Sequence, residues 1–369
     1  MEKKALKGLT TSELEENEDV IKMFKSGDME LNVLPQGTLA EKIRSGGLGI
    51  PAFYTSTGVG THVEDGGVPI KYAEDGKTVQ LVSEAREKRQ FGGRDYLMEK
   101  TLLGDYSFIK AWKADEKGNC MFRHVARNFN PDVASAGKIC IVEAEEIVPL
   151  GEIDGDDWHM SGIFVHRVVQ SEKHDTKVAP WKKDEEIMGT GEVGKMRENI
   201  VKRAAKEIQD GMYVTLAKGL PKLVHKYVNK EHDVDFITES GIIGEVPLTG
   251  PANLDIINSD MKPVSLKKGA AILKASDSFA AYRGRHTNLI MMEGKQVSQN
   301  GDLANWKEQI ADVAGPGPAI DLAASGTPIT VLMNHTTLDG KPNILPKCTF
   351  TLTGKDCITK LITELVIYY

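Results

Sequence analysis

Thr238-Glu239-Ser240-Gly241 follows the apolar run Val234-Asp-Phe-Ile and continues as Ile-Ile-Gly244-Glu-Val-Pro247. A carboxylate at the end of a strand, followed at once by glycine, is well placed in a tight turn. Taken alone, the motif reads as a turn with a surface acid. Gly189-Thr-Gly191-Glu-Val-Gly194-Lys195 offers phosphate chemistry: it matches G-x-G-x-x-G and nearly a Walker A loop. Both patterns need a preceding strand, so that backbone N–H groups and a helix N-terminus meet phosphate. Here Pro-Trp-Lys-Lys-Asp-Glu-Glu-Ile-Met precedes the glycines, and Met196 stands where a magnesium-binding hydroxyl should be. The segment therefore reads as a hinge ahead of a helix.

Other chemistries find no pattern. The nine histidines are scattered, with no His-x-x-x-His around a glutamate. His159 and His166 are expected to pack or hydrogen-bond around a strand. There is no Gly-x-Ser-x-Gly elbow for a serine hydrolase. Cys120, Cys140, Cys348 and Cys357 form no Cys-x-x-Cys pair, so neither a disulfide scaffold nor a cysteine-built metal site is expected. Lysines and acids near 182–186 read as a solvated face.

The elements that would position these residues divide into two halves. Residues 1–45 suggest two helical patches around a strand from Glu30 to Leu34, with Ser12 and Glu15 spaced as a capping box. Residues 46–75 are rich in Gly, Pro and Thr and read as loop and turn. Ser107–Ala114, Ile139–Ala144 and Gly162–Arg167 read as strands. Charges and Pro180 then mark a linker over 170–193. Met196, Ile200, Ala204 and Ile208, with Val201 and Ala205, form one face of a helix that Gly211 should stop. Strand candidates follow at Met212–Leu216, Val234–Thr238, Val264–Leu266, Leu289–Met292 and Ile329–Met333. Strands alternating with helices imply a largely parallel α/β sheet with sites at the strand C-terminal ends.

The composition sets limits on these readings. The 369 residues fit two domains, and 40% apolar with 27% charged residues allows real cores. A net charge of −7 argues against a general nucleic-acid binder. No apolar run approaches the roughly 18 residues of a membrane span. The first arginine is Arg44, after several acids, so no mitochondrial presequence is visible. An intracellular protein is expected.

Longer motifs add a resemblance. Leu34-Pro-Gln-Gly-Thr-Leu-Ala-Glu, Gly46-Gly-Leu-Gly-Ile-Pro-Ala-Phe-Tyr-Thr, Lys110-Ala-Trp-Lys-Ala-Asp, Ala126-Arg-Asn-Phe-Asn and Val142-Glu-Ala-Glu-Glu-Ile-Val mark the first half. Lys202-Arg-Ala-Ala, Asp210-Gly-Met-Tyr, Gly301-Asp-Leu-Ala-Asn-Trp and Leu352-Thr-Gly-Lys mark the second. From about residue 20 onward the chain resembles the family I CoA-transferases, within them the succinyl-CoA:3-oxoacid group. The resemblance implies two open-sheet α/β domains, 1–169 (alpha-type, incomplete) and 194–369 (beta-type, carrying the glutamate), with the active site between them. It implies that Glu239 attacks an acyl-CoA thioester and carries CoA as a glutamyl thioester. Gln36 would be one oxyanion donor and the turn at Gly317 and Pro318 the other. Gly219, Gly241, Gly244 and Gly284 would line the CoA path. No metal or resident cofactor is implied: coenzyme A and acyl-CoA are substrates, a carboxylate is the acceptor, and the chain would work as a homo- or hetero-oligomer. Mitochondrial location is implied by the resemblance, with the cytoplasm as the alternative.

The sequence departs from the family at the site. The donor glycine of a Gly-Gly-Ala-Met-Asp turn aligns with Pro318 in Gly317-Pro318-Ala319-Ile320-Asp321, and proline has no N–H. A Gly-Ile-Gly-Ile-Pro loop becomes Ala217-Lys218-Gly219-Leu220-Pro221, and Gly-Leu-Gly-Pro becomes Gly244-Glu245-Val246-Pro247. Arg-Gly-Gly-His becomes Arg283-Gly284-Arg285-His286, and Leu-Gly-Ala-Met-Gln becomes Met292-Glu293-Gly294-Lys295-Gln296. These changes are expected to crowd or charge the CoA path. A first strand with a Gly-rich turn is replaced by an expected acidic helix over 1–20, and the chain stops at Ile367-Tyr-Tyr before the family's closing elements. Two functions are therefore expected in competition: an active short-chain CoA-transferase of reduced rate, and a catalytically degenerate paralogue serving as an assembly subunit. Binding of CoA without turnover is a third.

Overall fold

The computed structural model describes residues 6–14, 17–172, 181–309 and 313–369. The chain opens with β1 (Gly8–Thr11), α1 (Glu18–Lys25) and β2 (Glu30–Val33), and β1 and β2 pair in parallel. The first segment is thus a strand, which corrects the helix expected over 1–20. The helix starts later because Asn17, not Ser12, caps it: the Asn17 side chain accepts from Val20 N–H. Glu15 lies outside the described residues.

Helix α2 (Gln36–Gly47) follows Pro35 directly. The segment expected to be loop over 46–75 holds the end of α2, a strand at Ala52–Thr55, one turn of helix and a strand at Pro69–Tyr72. Ala52–Thr55 pairs with Arg94–Lys100, which explains why a Gly- and Pro-bounded run became a strand: Phe53 and Tyr54 find cross-strand partners. The long strands β3 (Gly104–Asp115) and β4 (Gly137–Val148) run in parallel, joined through α3 (Asn130–Ala136), and β5 (Arg167–Gln170) extends the sheet in parallel. Ile109, Ala111, Cys140, Val142 and Ala144 alternate inward, as the period of two requires. The third strand expected at Gly162–Arg167 begins only at Arg167. Gly162–Phe164 is a turn of 3-10 helix, started by the Ser161 side chain accepting from Ile163 N–H. His159 and His166 each accept a backbone N–H through Nδ1, from Phe122 and Cys140, as expected.

The linker expected over 170–193 falls partly on residues 173–180, outside the described ones. Its remainder includes a helix at Asp184–Met188. α4 (Gly191–Ala205) then starts within the glycine motif, so the motif is preceded by a helix and not by the strand that phosphate binding requires. The expected hinge narrows to Gly189 and Gly191, with φ of +78° and +62°: Gly189 ends the short helix, Gly191 opens α4, and Gly194 lies within α4.

The second half is built on eight strands: β6 (Tyr213–Leu216), β7 (Asp235–Ile237), β8 (Ile242–Val246), β9 (Ser265–Ile272), β10 (Leu289–Glu293), β11 (Ile329–Leu332), β12 (Lys360–Ile362) and β13 (Ile367–Tyr368). Their order is β9-β8-β7-β6-β10-β11-β12-β13. The five strands from β7 to β12 are mutually parallel, and the edges are antiparallel. Both faces are covered. Ile200, Val201 and Ala204 of α4 pack on Val214, Leu216 and Met291. On the other face Ile290 and Met292 meet Phe279 and Tyr282 of α5 (Ala275–Arg283) and Leu322 of α6 (Ala319–Ala323). Ala40 of α2 belongs to that second cluster, so the first half contributes a helix to the core of the second. Among the described residues no helix is long and apolar enough to cross a membrane.

Candidate active site

Thr238 and the three residues after it make the turn that leaves β7. Gly241 N–H donates to Thr238 O at 3.0 Å, and Thr238 N–H donates to Ile242 O at 2.9 Å. Gly241 has φ +100°, and a Cβ there would run into the Leu273 carbonyl, so only glycine closes this turn. The result holds Glu239 fixed, but not at the surface: its relative exposure is 3%. That corrects the surface acid expected from the motif alone. The cover is non-local. Ser259, from the connection between β8 and β9, donates its hydroxyl to Glu239 Oε2. Glu239 Oε1 is buried without a partner among the described residues. A buried carboxylate oxygen left unpaired is costly, and a catalytic role is one of the explanations for such an atom.

A cleft of about 1350 Å³ is lined by Ile237, at the end of β7, and by Ser259, but not by Glu239 or the other turn residues. Leu216, Lys218, Gly219, Lys222, Ser259 and Asp260 line its inner part. Lys222 is 8% exposed and lies 3.7 Å from Glu245, whose other oxygen accepts from Asn258 at 2.9 Å. Burial opposes the Lys222 charge, but Glu245, Glu239 and Asp260 together outweigh it and hold its pKa above the ordinary value. Burial pushes the Asp260 carboxyl up, Lys222 opposes the shift, and Glu239 adds to it. Farther out, Asp184 pairs with Lys226 at 2.8 Å and Lys262 at 2.6 Å. The charges near 182–186 are thus part of a cleft wall and not only a solvated face. Lys218, Lys222, Ser259 and Asp260 carry no local motif. Of these, only Lys218 left a sequence signal, as a charge in place of an apolar residue in a glycine loop.

The first half reaches the same region through the start of α2. Gln36 N–H donates to Gly317 O at 2.9 Å. Gly37 N–H donates to Asp321 Oδ2 at 2.7 Å, and Thr57 Oγ1 donates to Asp321 Oδ1 at 3.1 Å. Asp321 is 1% exposed, and burial pushes its pKa up to about 6. Gly37 rests on Phe279 so closely that a Cβ would stand 2.6 Å from the ring. One position away on α5, Ser278 donates to Thr238 O at 3.1 Å. Helix α5 therefore supports both the Gln36-Gly37 corner and the Glu239 turn.

The turn before α6 has its donors engaged. Gly317 N–H donates to Ser12 O at 3.0 Å, Ala319 N–H donates to Pro316 O at 3.0 Å, and Pro318 has no N–H. The side chain next to Ser12 matters too: both oxygens of Glu13 accept from Lys218 Nζ, at 2.9 and 3.1 Å.

The expected CoA-path glycines separate. Gly219 lines the cleft with φ +88°, and the Glu293 carboxylate closes in on it while accepting from Leu220 N–H at 3.0 Å. The others do not line that cleft. Gly241 serves the turn under Glu239. Gly244 has φ +90° at a register shift in β8, and Gly284 caps α5 against the His286 ring. Of the substituted charged residues, Lys218, Glu245 and Glu293 line the cleft, whereas Arg285 packs on Gly326.

The profile of the family described as Coenzyme A transferase matches residues 1–171 and 197–368. A mouse (Mus musculus) protein named Succinyl-CoA:3-ketoacid coenzyme A transferase 2A, mitochondrial, is 43% identical over 378 residues, covering 99% of this chain and 71% of its own. A protein of Mycobacterium bovis described as one subunit of a probable succinyl-CoA:3-ketoacid coenzyme A transferase is 47% identical over 169 residues, 46% of this chain and 68% of its own. Among solved structures, an acyl-CoA transferase apoenzyme of Escherichia coli O157:H7 superposes with a TM-score of 0.73 at 17% identity, covering 97% of this chain and 72% of that one. This last likeness is one of fold.

Proposed function

From a chain that belongs to the Coenzyme A transferase family, we propose a 3-oxoacid-type CoA-transferase that moves CoA between short-chain carboxylates through Glu239. The observation that carries this reading is the buried Glu239 carboxylate, unpaired at one oxygen and bonded at the other by Ser259, which itself lines a cleft large enough for an acyl-CoA tail.

The chemistry requires a carboxylate. Glu239 attacks the thioester carbonyl and expels CoA as a thiolate, which leaves a mixed anhydride. The thiolate then attacks the glutamyl carbonyl and expels the acyl group as a free carboxylate, leaving a glutamyl-CoA thioester. An incoming carboxylate reverses both steps. Only a side chain that itself becomes an activated acyl group can do this, and ping-pong kinetics follow. In this reading Gln36 donates to the tetrahedral oxyanion, Lys222 supplies positive charge near the reacting carboxylate, and Gly219 lets the backbone approach the CoA arm. The names of the relatives support mitochondrial action and a multi-subunit assembly as parts of the same proposal.

A second reading is favoured by one observation: both N–H groups that flank Pro318 are already engaged. The proposal in that case is a catalytically degenerate subunit that keeps the fold for assembly. Intact-protein mass spectrometry after incubation with succinyl-CoA or acetoacetyl-CoA separates the two. An adduct equal to CoA less one water, removed by hydroxylamine, supports transfer. A folded protein with no adduct supports the degenerate subunit.

A further inference from the structure

Lys218 replaces an apolar residue expected in the family's loop after β6, and it projects a cation into the wall of the cleft. Both oxygens of Glu13 accept from its ammonium, at 2.9 and 3.1 Å. The Glu13 carboxylate also fills the space that a side chain on Gly317 would take, and Gly317 O accepts from Gln36 N–H. A carboxylate therefore sits at the corner where the expected oxyanion donors meet, clasped by a lysine. Its neighbour Ser12 takes the Gly317 N–H. Residues 12 and 13 thus cover both an amide donor and a cation of the cleft. The pair is part-exposed, with 39% and 26% side-chain exposure, so exchanging one carboxylate for another there needs no deep desolvation.

We propose that Lys218 binds the far carboxylate of a dicarboxylic acyl group and so determines acyl specificity, with the Glu13 carboxylate marking that subsite and yielding it to substrate. The inference rests on Glu239 as the acyl acceptor. An acyl group reacting at Glu239 with a carboxylate at its other end would find a positive partner at Lys218, whereas one ending in a methyl would leave the Glu13 clasp closed. Displacing residues 12 and 13 also releases the Gly317 N–H, so a dicarboxylic acyl group gains a donor that a monocarboxylic one does not.

The test compares succinyl-CoA with butyryl-CoA, which have acyl chains of equal length and differ in the far carboxylate. In a Glu239→Gln protein, which cannot form the thioester, calorimetry should show succinyl-CoA bound about twofold to fivefold tighter, the range of a part-exposed ion pair. Adding Lys218→Met should make the two ligands equal, and adding Glu13→Gln should widen the preference. In the Glu239→Gln protein without further change, rising salt should shrink it, a readout that needs no second variant to fold. A preference that is absent, insensitive to salt or retained in Lys218→Met overturns the proposal and leaves the Glu13–Lys218 pair as a structural clip. Failure of the transferase reading shows separately, as no thioester adduct in the unsubstituted protein while the binding preference stands.

Discussion

Gly37 donates its backbone N–H to the buried Asp321 carboxylate at 2.7 Å, joining residues 284 positions apart. The bond places the Gln36 corner of the first half against the Gly317–Asp321 turn of the second. Everything proposed for the site depends on that junction, because Glu239 and Gln36 sit on different halves and both rest on α5.

Glu239→Ala should reduce thioester formation from either acyl-CoA by about 10⁴-fold or more, as loss of a nucleophile does. Quenched-flow release of the free carboxylate from the acyl-CoA, followed by intact mass, measures it. An adduct of unchanged yield would remove Glu239 from the mechanism.

Pro318→Gly restores an N–H where the turn has none. Turnover should rise by up to about 10²-fold, the lower end of what one oxyanion donor contributes. No gain in a folded variant would mean that this turn is not the limiting defect, and attention would move to Ser12, which holds the Gly317 N–H.

Asp321 makes stability depend on pH. Its pKa is about 6 in the fold against 3.8 for an ordinary aspartate, so the folded protein keeps a proton that the unfolded chain releases. The contribution is fully present below the unfolded value and is lost as pH rises from about 4 to about 6. In urea titrations, Asp321→Asn should gain on the unsubstituted protein by about 2 kcal/mol between pH 4.5 and 7. A difference that does not change with pH would contradict this assignment.

Helix α2 is tethered by a buried triad. Lys42 lies 2.6 Å and Arg86 2.8 Å from the two oxygens of Glu99, which is almost wholly buried. Glu99→Ala leaves Lys42 charged and buried, and should cost about 3–5 kcal/mol in chemical denaturation. A loss below about 1 kcal/mol would mean that Lys42 escapes to solvent, as surface pairs do.

Much of the second sheet was legible in the chain itself. The apolar run Leu289–Met292 and the spacing of Ile200, Val201, Ala204 and Ala205 encode β10 and α4, because a strand and a helix each display their burial pattern along contiguous residues, whereas Met196, expected on the same face, is exposed and α4 ends at Ala205, before the expected stop at Gly211. The Glu239 turn was legible as well, since the glycine that closes it stands two positions away. Gly162 and the first twenty residues misled. A 3-10 turn and a short parallel strand are settled by partners, Ser161 for the one and β2 for the other, and not by periodicity.

The sequence alone determined the family and the α/β class, and it singled out Glu239 as the candidate carboxylate, because motifs, periods and turn glycines are local properties. Only the tertiary structure decided that Glu239 is buried under Ser259, that Ser12 and Pro316 take the amides flanking Pro318, and that Glu13 closes on Lys218 from 205 residues away. Those relations depend on which atoms remain unpaired when distant segments meet. Burial and hydrogen-bond competition settle that question through the whole packed chain, so no stretch of sequence records it.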